Sequence, residues 1–329
     1  MPQDQLLAGF RKQSGFAVLT ALAICALLGV LGLGIDLGYL FLVRNELQRA
    51  AEAGAIAGVR ALYPNDLTTA PANLTPNCGD ALSRANSTAL SNVVSGGNLK
   101  IAAIQVGRWN WSTSQFTPGC SGASADFSDA VSATTQKDDL AVFFIRALGV
   151  QPASLTATSI AVMDWAGALH QGAGFVLALK ADCAKAGDLK IYLNPDKDDI
   201  GGWYAKDPAK PNASTIKGYL DYPGAIPAIQ KGDLVNLNNG VIQSALDLIA
   251  GSYLNKTVWL PVVNADDFNQ SATVEGFTAF RITEIGQDQG HDGKKYVRGQ
   301  ALTLDEAPGD LSDPGGNNYG LLTSPRLVN

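Results

Sequence analysis

Residues 16 to 35 read FAVLTALAICALLGVLGLGI, twenty residues without a charge, and no other stretch limits the possible folds so strongly. A helix rises ~1.5 Å per residue, so this run spans about 30 Å, the thickness of a bilayer's hydrocarbon core. A single crossing is the economical reading. A cleaved secretory signal is the rival, since Arg11 and Lys12 form a basic start and the Ala-Glu-Ala at 51 to 53 offers small residues for a cut. Signal peptides carry apolar regions of only about 7 to 15 residues. The segment therefore reads as a retained transmembrane helix over 16–43, preceded by a short tail, 1–15.

Arg11 and Lys12 precede the run while Arg44 and Arg49 follow it closely, so the positive-inside count is nearly tied. Two features break the tie. The short side carries the amino terminus, and the long side bears cysteines, is rich in Asn, Ser and Thr and is poor in lysine, as exported domains often are. Residues 1–15 are placed in the cytoplasm and everything after about 44 outside.

Asp36 closes the uncharged run. An acid at mid-bilayer costs about 2.5–3.5 kcal/mol on insertion scales and less near an interface. Tyr39 and Arg44 lie beyond it, as they would at headgroup level. Arg44 is eight residues on, about two turns away and out of reach of a same-helix pair. Two readings stay open: an interfacial acid kept wet by headgroups and water, or a salt bridge to another chain.

From 44 to 62 the sequence RNELQRAAEAGAIAGVRAL has no proline and many helix formers, so the membrane helix continues outward as a stalk. Leu47, Ala50 or Ala51, Gly54, Ala55 and Gly58 recur at spacings of three and four, giving one face of small residues. Such a face admits a close backbone. It packs either on the chain's own globular part or on helices of an assembly.

The formal charge of −6, with no basic cluster, argues against nucleic acid as a partner. Of the four cysteines, none forms a CxxC pair or has a histidine nearby, so no zinc site is expected. Cys25 lies in the apolar run as a small hydrophobe. The other three are an odd set; in an oxidising compartment one disulfide is expected, with Cys78 and Cys120 as the chosen pair and Cys183 left over.

The segment GFAVLTALAICALLGVLGLGIDLGYLFLVRNELQRAAEAGAIAG resembles the amino-terminal region of TadG-like proteins of the Flp (Tad) pilus assembly machinery. The matching positions are Asp36, Gly38, Tyr39, Arg44, Leu47, Gln48, Ala50, Ala51, Glu52, Ala53, Ala55, Ala57 and Gly58, with Glu52 where that family more often has aspartate. Residues 106–119 and 143–163 are similar to the strand-rich region behind this anchor, and 256–263 with 276–280 to its carboxyl-terminal part. The resemblance implies a single-pass protein of the bacterial inner membrane, its bulk periplasmic or extracellular. It also implies a structural role, with other Tad assembly proteins, pilins, membrane lipid and further copies of itself as partners. Larger members carry a von Willebrand type A domain whose metal loop reads Asp-x-Ser-x-Ser; the nearest string here, DFSDA at 126–130, lacks the last serine. Related pseudopilins are cut after a glycine. Gly15 and Phe16 would be the scissile pair, but Thr20 stands where a glutamate is expected, which argues against the cut.

The remainder reads as α+β in two β-rich units. The first, 63–165, begins with a loop, continues with helical spacing around 80–94 and a strand at 99–109, and ends with short aromatic and β-branched runs at 141–148 and 155–163. AGALHQGAG at 166–174 suits a flexible linker. In the second unit, 175–304, GFVLALK, DLKIYLNP, TVWLPVVN, EGFTAFRITEIG and KKYVRGQALTL read as strands, with ASTIKGYLD and NNGVIQSALDLIAG as helices. Residues 305–329 have the composition of a flexible tail.

Catalysis is not expected. His170 and His291 lack the setting of a general base and no GxSxG is present. NPDKDDIGGW at 194–203 partly resembles a calcium loop, but Asp199 stands at the sixth position and Ala205 at the twelfth, where glycine and glutamate belong; a solvated acidic turn fits better, as for Asp266 and Asp267. No cofactor or metal is expected. An anchored adhesin or carbohydrate-contacting protein is the alternative, if Trp109, Trp111 and Trp203 form one exposed cluster.

Overall fold

In the computed structural model the described residues are 3–63, 75–121, 127–147, 149–150, 154–184, 187–193, 200–289, 293–302, 305–307 and 311–328, with backbone alone for 3–15. One helix, α1 (Gln3–Ala61), passes Asp36 without a break. No proline interrupts its 59 residues, and at ~1.5 Å each they span about 90 Å. Its surroundings change along its length. Phe16, Leu22, Leu27, Leu31, Ile35 and Phe41 are exposed, whereas Val43, Leu47, Ala50, Ala51, Ala55 and Val59 are buried.

The helix α2 (Cys78–Leu90) covers part of that buried face. Asn77 caps it, its side-chain oxygen accepting from the amide of Asp80 at 3.1 Å. Ala81, Ala85 and Ala89 turn towards α1 at spacings of four. A Cβ on Gly54 would lie 2.9 Å from both the Ala85 carbonyl and the Ala89 methyl, and one on Gly58 2.9 Å from the Ala85 and Val131 side chains. Both glycines are thus required by close approach. The small-residue face packs on the chain's own α2 and sheet, which takes it away from helices of other chains.

That sheet has five antiparallel strands in the order 326–328, 154–162, 130–138, 100–110, 115–118. Val131, Ala133 and Ala161 meet Ala55 and Val59 of α1 and Leu62 just past its end beneath it, and buried Thr135 donates its hydroxyl to the Leu47 carbonyl at 2.9 Å.

The second body is a seven-stranded mixed sheet in the order 234–238, 201–206, 177–180, 257–264, 271–288, 294–301, 187–193. Only the 177–180 and 257–264 strands run parallel. Strand 234–238 also pairs with residues 271–273, so that edge folds back on the sheet. Both faces are buried. The helices α4 (Ala213–Asp221) and α5 (Gln243–Ser252), α3 being a short turn at Phe144–Ala147, bring Ile216, Leu246 and Ile249 onto Trp203, Leu260 and Phe280. Tyr204, Phe268, Phe277 and Val263 fill the other side.

The chain is α+β, and among the described residues one helix is apolar and long enough to cross a membrane. Three local expectations are corrected. Residues 305–329 are not a flexible tail: Asp305–Ala307 pairs with Leu321–Thr323, Ser312–Pro314 with Ala166–Leu169, and Arg326–Val328 with Ser154–Val162. Nor is 166–174 a loose linker, since its first four residues are the central strand of a three-stranded sheet. The run at 141–148 holds the α3 turn, not a strand. Polar, glycine-rich composition concealed these pairings, two of which have partners over a hundred residues away.

Leu322 is buried against α1 and Trp165. Leu322→Ala should lower unfolding stability by about 2–5 kcal/mol, read as a fall in the urea midpoint of the detergent-solubilised chain. A flexible tail would tolerate it unchanged.

Candidate functional site

The positions singled out in the anchor gather where α1 leaves its exposed stretch and enters the first unit. Asp36 is 1 % exposed. Its carboxylate accepts three backbone N–H groups from the start of α3: Phe143 at 3.1 Å, and Phe144 and Ile145 at 2.7 Å each. Neither open reading of this acid holds. It is not kept wet, and its partners are amides of the same chain more than a hundred residues later. Charge-assisted bonds of this kind are about twice as strong as neutral ones.

One turn further, the Tyr39 hydroxyl shares a 2.7 Å hydrogen bond with the Ser95 hydroxyl, and the Glu46 carboxylate accepts the Ser95 amide at 2.6 Å. Ser95 and Gly96 form the two-residue turn between strands 93–94 and 97–98, both with positive φ (50° and 68°), as a type I′ hairpin requires. The anchor thus holds two loops of the globular part at its exit. Leu47, Ala51, Gly54, Ala55 and Gly58 are buried below this level. Gly38 and Arg44 are exposed, and Gln48 donates to Glu52 at 3.0 Å along the helix. Gly15 and Phe16 lie within α1, with Phe16 exposed.

Cys78, the first residue of α2, is joined by a disulfide to Cys120 beyond strand 115–118, with Cα atoms 6.3 Å apart and a sequence separation of 42. A loop of that length makes such a bond worth on the order of 2–4 kcal/mol. Cys25 is exposed on the anchor and Cys183 is half-buried.

Two further acids were not singled out from the sequence; Asp129 bonds within the first unit, and Asp164 ties that unit to the carboxyl-terminal segment. Asp129 accepts the Trp109 amide at 2.7 Å. Asp164 accepts the Trp165 amide at 2.7 Å, the Trp111 indole N–H at 3.1 Å and the Gly315 amide at 3.2 Å. Burial pushes the Asp129 carboxyl up to about 7; the charge of Asp164 adds to this, while the Trp109 amide and the Arg108 guanidinium oppose it. Burial raises Asp164 as well. A signal was present: Asp164 is an isolated acid inside the apolar stretch AVMDWAGAL, as Asp36 is in its own.

Trp203 is fully buried, its indole donating to the Gly240 carbonyl at 2.8 Å, Trp109 is 5 % exposed and Trp111 is 39 % exposed. The three do not form one exposed platform. Among the described residues no group of three or more His, Cys, Asp or Glu side chains could hold a metal. Residues 194–199 of the calcium-like string and His291 lie outside the described residues. Asp267 accepts the Asn269 amide at 3.0 Å in a local turn, Asp266 is exposed, and His170 contacts Asp313 at 2.9 Å.

An apolar helix that becomes the strut of a disulfide-bonded β-rich body defines a class: a protein with one amino-terminal anchor and an α+β remainder. Two family models match it. Residues 15–61 match Tad, described as "Putative Flp pilus-assembly TadE/G-like", and residues 69–161 match Tad_C, described as "Putative Tad-like Flp pilus-assembly". These two matches, which lie within the first half of the chain, support a Tad-like Flp pilus-assembly protein with an amino-terminal anchor, and with it a general involvement in Flp/Tad pilus assembly. No curated protein and no solved structure matches the chain.

Replacing Asp36 by alanine should free the amides of Phe143, Phe144 and Ile145. Loss of a capping carboxylate costs about 1–2 kcal/mol, so hydrogen exchange at those amides should quicken roughly tenfold while exchange in the 257–264 strand stays unchanged. A second expectation concerns pH. A carboxyl raised in the folded state binds its proton more tightly there than in the unfolded chain. Its stabilising contribution is therefore full below about pH 4 and is lost as pH rises through about 7. The urea midpoint should fall between pH 5 and 7.5, and Asp129→Asn, which keeps an acceptor for Trp109, should flatten the part of that fall due to Asp129.

Proposed function

We propose that this chain is a single-pass structural component of a Flp/Tad pilus assembly or secretion system in a bacterial inner membrane, with residues beyond about 44 on the periplasmic side. It acts by association rather than catalysis. The observation that carries this is the division of α1: residues 16–31 are exposed on all sides, 32–42 are covered on one side only, at Gly32, Asp36, Tyr39 and Leu40, and residues 43–62 are built into the first unit. The stalk's small-residue face is occupied at home, so association with other membrane helices belongs to the exposed stretch, and contact with pilins or other assembly proteins to the outer units. Two findings support the remaining points. The Cys78–Cys120 bond suits an oxidising compartment. The buried acids Asp36, Asp129 and Asp164 are each engaged by backbone amides, an arrangement that holds structure rather than moving protons.

In a Cys25→Ser, Cys183→Ser background, crosslinkable cysteines at Leu27 and Leu31 should give adducts with other assembly proteins in cells making the whole machinery, and cysteines at Gly54 and Gly58 none. An impermeant thiol reagent should label Gln115→Cys in unlysed spheroplasts. Adducts absent from 27 and 31, or labelling only after lysis, would remove the reading.

A further inference from the structure

We infer that residues 142–147 and 149–150 form a second membrane-contacting element, an interfacial wedge seated in the outer leaflet beside the anchor. The inference rests on residues 16–42 lying in lipid and goes beyond that reading.

Three observations meet here. The first is depth. The Phe144 ring packs directly on Gly32, where a Cβ would clash with it, and Gly32 lies one turn, about 6 Å, inward of Asp36. A ring at that level is inside the uncharged run. The second is surface. Phe143 is 74 % exposed and Val150 57 %, with part of Phe144 also open. Leu31, Ile35 and Leu37, on the stretch of α1 that flanks Gly32 and Asp36, are exposed as well. Exposed in water they would be a costly patch; against acyl chains they are at home. Arg146 is the one cation of the turn, exposed, on a stem long enough to reach anionic headgroups.

The third observation is the backbone. Irregular chain survives at membrane depth only where its polar groups are satisfied internally. The Val142 amide donates to the Leu140 carbonyl, those of Phe143, Phe144 and Ile145 to Asp36, that of Gly149 to Arg146 and that of Val150 to Ile145. A water-exposed turn has no need of a carboxylate from another helix to take three of its amides. In lipid it does, and this accounts for an acid so close to the apolar run. Asp36 is a positioning residue for the wedge.

The test uses the full chain in nanodiscs of neutral and anionic phospholipid, in the Cys25→Ser, Cys183→Ser background, with an environment-sensitive fluorophore at Phe143→Cys. Leu22→Cys reports on the anchor and Gln115→Cys on the aqueous body. At 143 the expected result is blue-shifted emission that is lost when lipids carry a shallow nitroxide and is insensitive to iodide; at 115 it is the reverse. Asp36→Ala should move the 143 emission towards that of 115 while leaving 22 unchanged. Quenching at 22 without quenching at 143 overturns the wedge and leaves the anchor standing. Quenching at neither overturns both. Crosslinking of two copies through position 143, with no lipid quenching, overturns it in favour of a second copy on this face.

Discussion

The approach of α2 and the five-stranded sheet to the outer half of α1 is the constraint on which the rest of the structure depends. Gly54 and Gly58 leave no room for a methyl group against Ala85, Ala89 and Val131, so the helix axis can lie close enough for Val59 and Leu62 to enter the core under the sheet. Because one unbroken helix provides both the exposed apolar stretch and this strut, no hinge separates the two. The orientation of the outer body relative to the helix axis is therefore fixed by side-chain packing, and the Thr135 bond to the Leu47 carbonyl fixes the sheet's register along it.

Isolated acids recur as the means of fastening one part to another. Asp36 fastens the 142–147 turn to the helix, Glu46 the 95–96 turn, and Asp164 the glycine-rich segment at 315. The physical logic is shared. Burying a carboxylate is unfavourable by several kcal/mol unless N–H groups take the place of water, so each acid is tolerated only while its amides converge on it, and the amides converge only in one arrangement of the loops. Such sites select a single geometry more than they add net stability.

How much of this was legible depends on how far each interaction reaches. The anchor, the stalk and its small-residue face could be read because helical periodicity is local: Leu47, Gly54 and Gly58 show their common side within four turns. The strands at 257–264 and 271–288 were legible for the same reason, being long, branched and aromatic. Asp36 was visible as an anomaly but its partners were not, since nothing at 36 points to 143. The same limit hid the strands at 305–328. A three-residue strand has no period to detect, and its stability comes from Trp165, Leu169 and Val162 across the fold rather than from its own residues. The run AVFFIRAL misled for a related cause: its composition favours a strand, but Asp36 supplies acceptors that start a helical turn instead.

The carboxyl-terminal closure also bears on where this protein's first unit ends. The family match stops at residue 161, yet the sheet it covers ends at strand 154–162, whose free side is paired by 326–328. Without that pairing the strand would present open N–H and C=O groups at an edge, the configuration from which strands add to one another between chains. Leu322 fills the core beneath, and the Trp165 bridge to it joins the end of the first unit to the carboxyl-terminal segment. The first unit is therefore incomplete until the last residues have arrived. The sheet against the strut thus stays open until the residues beyond the seven-stranded body have paired with it, so the first unit depends on chain that follows the second.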